Sequence, residues 1–348
     1  MDFYILNRDE IVAKWENNTF TLINKALAPM YLVNTENVEH WLEARAIDQH
    51  RANSRLLKKA LRLSEKDDVS SVIKVNAVTV TDNYWIKSLD SDLKYADVRF
   101  DNDYFSNLAL RGGYDSFNKA ALKAEKRDTR TPELTNIGSF EKCWKLKNGE
   151  WWMYKSANHN EQFSEIFICE LGKHRGFNMA EYECGNKCVK TKDFTNNAAV
   201  NFEPAFSFMG EDEDYISVIK KLRKIAPLVI PDYVRMIFLD TIVANPDRHT
   251  YNFGLLRDVK TGKILSLAPN FDNNMALIAR EYPKNIERKN DVLVRYFNEL
   301  LKFDSSLAQY VPKLTEDDIK TVLKKVNMKV NSDTIIRFIM NGYKQIEV

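Results

Sequence analysis

Ala244-Asn245-Pro246-Asp247-Arg248-His249-Thr250-Tyr251-Asn252 decides the reading of this chain, together with Leu267-Ala268-Pro269-Asn270-Phe271-Asp272 downstream. An Asp is followed five residues later by an Asn, and a second Asp lies beyond a short hairpin. This order places three oxygen-bearing side chains as phosphoryl transfer requires. One carboxylate accepts or orients the attacking hydroxyl, while an amide oxygen and a second carboxylate hold Mg²⁺ against the phosphate charge.

The flanks predict how these residues meet. Tyr233 to Val243 carries apolar residues at helical spacing, with Pro231 near the start, and predicts a buried helix. Asn245-Pro246 then turns the chain out of the helix, because the residue before a proline is pushed away from the α region. Asp247 to Asn252 is therefore expected on a loop. Phe253-Gly254-Leu255-Leu256 and Ile264-Leu265-Ser266-Leu267, on either side of Lys260-Thr261-Gly262-Lys263, predict a β-hairpin that returns Asp272 towards Asp247. Taken alone, Asp247 reads as a helix cap with an Asx turn sooner than as a catalytic group. His249 alone is as readily a packed histidine as a reactive one. The ordered set of helix, loop, Asn252, hairpin and Asp272 favours catalysis.

Over Tyr233 to Leu277, and more weakly over Thr131 to Phe194, the chain resembles the HipA-like bacterial serine/threonine kinases. Asp-Arg-His-x-x-Asn also occurs in phosphoinositide kinases; the downstream Ala268-Pro269-x-Phe271-Asp272 selects the HipA-like group. Eukaryotic protein kinases place the His before the catalytic Asp, whereas His249 follows Asp247. The resemblance implies an α+β, bilobal kinase-like fold with a small mixed N-terminal segment, and ATP and Mg²⁺ as cofactors. Asp247 would act as base or hydroxyl positioner, His249 would stabilise phosphate charge or hold the loop, and Asn252 and Asp272 would carry metal.

The upstream half supplies matching pieces. Trp151-Trp152-Met153-Tyr154-Lys155 reads as an aromatic strand ending in a lysine that would reach the phosphates, or else a lysine snorkelling at a strand edge. The turn Asn148-Gly149 separates it from Cys143-Trp144-Lys145-Leu146. A helix from Glu161 to Lys173 follows, with Gly176 past its end. It carries Glu165 as the acid that would orient Lys155, with Glu161 and Glu170 as competitors. Thr135-Asn136-Ile137-Gly138-Ser139-Phe140-Glu141-Lys142 has a single glycine. It is neither a Walker motif nor a three-glycine loop, and resembles the HipA-type phosphate loop. By the same resemblance Gly138 and Ser139 would meet the nucleotide, and Thr135 stands where an inhibitory autophosphorylation occurs in the family. Val189 to Phe194 occupies the hinge position. Backbone groups near Lys190 and Lys192 would meet adenine and Asp193 the ribose, although the lysines depart from the family's hinge pattern.

Composition bounds the remainder. With 44% apolar residues, including 19 Phe, 15 Tyr and 6 Trp, a chain of 348 residues makes two or three packed units. A net charge of +2 draws it neither to nucleic acid nor to membrane. No run of eighteen apolar residues and no signal peptide is seen, so a cytoplasmic location is expected. The cysteines, Cys184 and Cys188 among them, do not complete a zinc site and read as reduced thiols, most of them buried. Three parts are expected: residues 1–125 of unassigned role, a nucleotide lobe over 126–194, and a mainly helical catalytic lobe over 195–348.

Within the first part, a helix carrying Val38, Trp41, Leu42 and Ile47 is expected, capped at Asn34 or Thr35, with Arg45 and Arg51 on its polar side. A second helix is expected over Asn53–Leu63, strand character over Val72–Val80, and an exposed linker or surface helix over Asn118–Glu133 that includes Arg127. The basic helices read as solvated faces, not as a DNA-binding surface. Gly210 to Asp214 is expected to cap the helix that starts near Tyr215. The function so read is an autophosphorylating serine/threonine protein kinase of HipA-like type. Its partners would be a protein with a Ser or Thr acceptor and an antitoxin or regulator. The alternatives are a kinase for a small molecule or lipid, and a pseudokinase that works as a binding module.

Overall fold

The computed structural model describes residues 1–48, 50–63, 68–126 and 129–347. Arg127 of the expected linker lies outside them. Eleven strands are described: β1 Phe3–Asn7, β2 Glu10–Glu16, β3 Thr19–Leu22, β4 Tyr84–Ser88, β5 Lys142–Lys147, β6 Glu150–Ser156, β7 Tyr182–Gly185, β8 Cys188–Lys192, β9 Val200–Pro204, β10 Gly254–Asp258 and β11 Ile264–Leu267. They form sheets of order β3-β2-β1-β4, β5-β6-β8-β7 and β11-β10-β9. Helices are interspersed throughout, so the chain is a mixed α and β protein. It divides into two compact units. The first comprises residues 1–156, 190–203 and 256–265; the second comprises 157–189, 204–255 and 266–348.

In the first unit, β1 lies between β2 and β4, antiparallel to both, with Ile5 opposite Ala13 and Ile86. These N-terminal strands left no clear sequence signal, because β2 mixes apolar and charged residues and β3 is only Thr-Phe-Thr-Leu with both threonines exposed. Leu6, Ile47, Leu57, Trp85, Phe105, Trp144 and Trp151 form one core cluster. Residues 1–125 therefore share their apolar interior with the β5–β6 hairpin. The turn of that hairpin has Asn148 and Gly149 both at positive φ (51° and 80°), which suits the right-handed strand twist.

Several N-terminal expectations are corrected. The first predicted helix runs Val38–Glu43, with Asn37 as its cap accepting from the His40 N–H at 3.0 Å, and it ends before Arg45 and Ile47. Val72–Val80 is not a strand: Asp68–Lys74 is helical, and Val72, Val75 and Val78 are buried at a spacing of three. Packing on one face outweighs their β-preference. Arg45, Arg51 and Lys58 are buried, not solvated. Arg45 makes a two-pronged pair with Asp82 at 3.0 and 2.8 Å and lies over the Trp41 ring. Of the two readings of Asn118–Glu133 the helix holds, over Tyr114–Lys126, but Thr131, Pro132 and Glu133 at its end are buried, not exposed.

Arg257 ties the β10–β11 hairpin down within the same unit. It donates to Glu203 at 2.6 Å and to the carbonyls of Ala28 at 3.0 Å and Ala26 at 2.6 Å. Gly262 sits at φ +69°, where an added Cβ would stand 1.7 Å from the Ala26 carbonyl oxygen. Only a residue without a side chain passes there.

In the second unit, Ile230–Val243 is buried on nearly all sides and packs Phe238 edge-on against Phe177 and Tyr343 and tilted against Phe297. Its end is set by Ala244 in the left-handed conformation at φ +51°. The helix expected near Glu161–Lys173 runs His159–His174. Asp214 caps Tyr215–Ile225 by accepting from the Ser217 N–H at 2.8 Å, as read from the acidic run. Glu316–Val326 and Ser332–Tyr343 are further helices of this unit. All four cysteines are free thiols, with Cys184 exposed and the others buried. Among the described residues no helix is long and apolar enough to cross a membrane.

Candidate active site

Asp247, His249, Asn252, Asp272 and Glu165 all belong to the second unit. Arg248, which the sequence reading passed over, organises them. Its guanidinium is buried and makes a two-pronged pair with Asp240 of the Ile230–Val243 helix, Nε to Oδ2 at 2.8 Å and Nη2 to Oδ1 at 2.9 Å. Nη1 donates to the carbonyls of Asn252 at 2.7 Å and Phe271 at 2.6 Å. Nη2 also reaches Asn270 Oδ1 at 2.8 Å and Asn273 Oδ1 at 2.9 Å. One planar cation thus fixes the end of the Asp247–Asn252 loop against the residue before Asp272. Burial pulls its pKa down, but Asp240 more than offsets this and holds it above the usual arginine value. The signal in the sequence was a charged residue, Asp240, at an otherwise apolar helix position.

The loop is held mainly through its backbone. The Asp247 N–H donates to Asn245 Oδ1 at 3.2 Å, and the Asp247 carbonyl accepts from His249 N at 2.9 Å and from Asn252 Nδ2 at 2.8 Å. With its amide nitrogen so committed, Asn252 turns its oxygen to other use. His249 Nδ1 accepts from the Tyr251 N–H at 3.2 Å. The ring proton of neutral His249 is then on Nε2, where it can donate to an anion.

Asp272 stands at φ +60°, an unfavourable conformation for a non-glycine residue and one that recurs at functional sites. Its N–H donates to the Tyr182 hydroxyl at 2.9 Å. Burial, with Glu165 and Asp272 nearby, keeps that phenol well above its ordinary pKa. Glu165 is fully buried, and its Oε2 accepts from the Asn273 N–H at 2.8 Å. The competitors are engaged otherwise: Glu161 closes the helix capping box with the Asn158 N–H at 2.8 Å, and Glu170 pairs with Lys173 and Lys325.

Asn252 and Asp272 offer hard oxygen donors, the type that Mg²⁺ takes alongside water and phosphate oxygens. Among the described residues no cluster of three or more His, Cys, Asp or Glu forms a metal site.

Lys155, Thr135, Gly138, Ser139, Lys190, Lys192 and Asp193 belong to the first unit. Lys155 is buried near the end of β6, and its ammonium lies 4.8 Å from the centre of the Phe140 ring. It stands opposite Lys142 in the β5–β6 register, so two lysines share one face of the hairpin. Gly138 has φ +105°, and an added Cβ would meet Lys142 Nζ at 2.6 Å, which explains the single glycine. Ser139 is exposed. Thr135 is buried, its hydroxyl donating to the Val78 carbonyl at 2.7 Å, so a phosphate there requires the segment to leave its seat.

Lys190 and Lys192 lie on β8 itself, and Lys192 pairs with Glu150 at 2.6 Å. Asp193 is buried, and its two oxygens accept from Thr195 Oγ1 at 2.7 and 2.9 Å and from the N–H groups of Thr195 at 2.9 Å and Asn197 at 2.8 Å. Its carboxylate shapes the turn after β8.

Fold and site together present a mixed α and β protein in which one buried arginine holds the Asp247–Asn252 loop to the residue before Asp272. Among solved structures the chain is similar to the Helicobacter pylori proinflammatory kinase CtkA, with 17% identity and a TM-score of 0.45, covering 59% of this chain and 90% of that one. It is also similar to HipA in the Shewanella oneidensis MR-1 toxin–antitoxin complex of HipA, HipB and operator DNA, with 11% identity and a TM-score of 0.48, covering 98% and 97%. No protein-family model and no curated protein matches the chain.

Proposed function

We propose that the protein is an ATP-dependent serine/threonine protein kinase that also phosphorylates itself. The observation that carries this reading is the Arg248 anchor, which holds Asn252 and the residue before a strained Asp272 on one guanidinium. In this reading Asp247 positions the acceptor hydroxyl and takes its proton. Asn252 and Asp272 would hold Mg²⁺, which neutralises phosphate charge when bound. His249 would donate from Nε2 to the transferring group, Lys155 would contact the phosphates, and Glu165 keeps the role that the resemblance implies. Gly138 and Ser139 supply backbone close to the phosphates, and the β8 backbone at Lys190 and Lys192 meets adenine. Asp193 enters through the turn it organises. An antitoxin or regulatory partner and a cytoplasmic setting belong to the same proposal.

The test is incubation with Mg²⁺ and γ-labelled ATP, followed by mass spectrometry of labelled residues. Label on a serine or threonine is the expected result. Binding of Mg·ATP with transfer to neither this chain nor a proteome extract would leave a pseudokinase.

Glu133 yields a further prediction. Burial pushes its carboxyl up to about 7 from 4.5, although Arg51, the Asn136 amide and the Trp144 N–H pull the other way. A raised acid favours the folded state fully below the unfolded value, and loses that contribution as pH climbs through the folded one. Stability should therefore fall between pH 4.5 and 7, by on the order of 3 kcal/mol from this group. Glu133→Gln should flatten that slope in denaturant titrations across the window. An unchanged slope would show that Glu133 does not titrate there.

A further inference from the structure

Residues 1–125 carry no part of the chemistry above, yet one of their side chains reaches the glycine loop. Arg51 is almost wholly buried. Its Nη2 donates to the Asn136 carbonyl, its Nε to the Gly138 carbonyl at 3.2 Å and its Nη1 to the Lys142 carbonyl at 3.3 Å. The Asn136 side chain is held in turn by Glu133 Oε2 at 3.1 Å, and Glu133 Oε1 accepts from the Trp144 N–H at 2.8 Å as the chain enters β5. The same stretch is tied to the N-terminal segment twice more, by the Ile47 N–H to the Leu134 carbonyl at 2.9 Å and by the Thr135 hydroxyl to Val78.

We propose that Arg51 is a positioning residue for nucleotide phosphates. By drawing the Asn136 and Gly138 carbonyls inward, it turns the N–H groups of Ile137 and Ser139 outward to receive an anion. In a trans peptide the carbonyl and the following N–H point in opposite directions, so gripping one side of the loop orients the other. Ile137 and Ser139 are exposed, so the amides turned outward face an accessible surface. Successive outward N–H groups form a concavity suited to phosphate oxygens. With a single glycine, the loop Asn136–Lys142 has little intrinsic preference for that shape. A planar donor with three prongs supplies the order that a glycine-rich loop takes from its own sequence. This gives residues 1–125 a role: they carry the clamp that keeps the phosphate loop formed. The inference rests on the reading of Asn136–Lys142 as that loop.

The test compares the full-length protein with Arg51→Lys and Arg51→Ala by calorimetry, using Mg²⁺ with a non-hydrolysable ATP analogue and, separately, adenosine. Adenosine lacks the phosphates that the loop would hold. Arg51→Lys keeps the charge but cannot span three carbonyls, and should weaken the analogue about tenfold while leaving adenosine unchanged, the cost of lost preorganisation. Amide exchange at Ile137 to Lys142 should accelerate in the same variant. Because alanine strips three carbonyls of their donor, its adenosine affinity and melting curve report whether the rest of the chain stays folded. Equal affinity for the analogue in wild type and Arg51→Lys overturns the clamp while leaving the kinase reading intact. Parallel loss of adenosine and analogue in Arg51→Lys overturns it as well, since a fault of general folding moves both. Failure of the wild type to bind the analogue removes the nucleotide reading and the clamp with it.

Discussion

Asp247→Asn is expected to lower phosphoryl transfer by about 10²–10⁴-fold, the usual cost of losing a positioned general base. The melting temperature should stay near that of the wild type, because the loop keeps its form through other atoms. The Asp247 N–H is bonded to Asn245, and its carbonyl holds both His249 and Asn252. An asparagine there retains the shape and loses the base. Initial rates of label transfer, measured beside thermal unfolding, decide the matter. A rate within about threefold of wild type would remove Asp247 from the chemistry. A large fall in melting temperature would show it to be structural.

Arg248→Met should be the most destabilising single change in the second unit. It leaves the Asp240 carboxylate buried without its cation and unpins the carbonyls of Asn252 and Phe271. Breaking a buried pair by removing one partner costs about 3–5 kcal/mol. For a unit of this size that corresponds to roughly 10 °C in melting temperature. The double variant Asp240→Leu with Arg248→Met separates stability from positioning, since apolar replacement of both partners often restores stability. Recovered melting with absent kinase activity is the expected outcome. Recovered activity as well would mean that the guanidinium's grip on the two carbonyls is dispensable, and an unmoved melting temperature in the single variant would contradict the buried-pair account.

Much of the local structure was legible in the sequence. The helix ending before Asn245-Pro246, the hairpin after Asn252, the β5–β6 turn at Asn148-Gly149 and the cap at Asp214 follow from local rules of helix periodicity, proline geometry, left-handed turn residues and side-chain capping. Such rules act over a few residues, so one chain suffices to apply them. The N-terminal half yielded less. Val72–Val80 has strand residues but packs as a helix and turn, because a common buried face outweighs intrinsic β-preference.

The sequence alone determined which residues can do chemistry: Asp247, Asn252 and Asp272 are set by type and spacing. What it left open was the fate of the buried arginines. Arg45 and Arg51 read as solvated cations, and Arg248 and Arg257 carried no reading at all, yet each is buried against carbonyls or carboxylates distant in the chain. Whether a guanidinium is solvated or clamps a loop depends on acceptors brought from tens or hundreds of residues away. Desolvating it is tolerated only when those acceptors are already in place. Tertiary structure assembled them, and with them the anchor of the catalytic loop and the grip on the glycine loop.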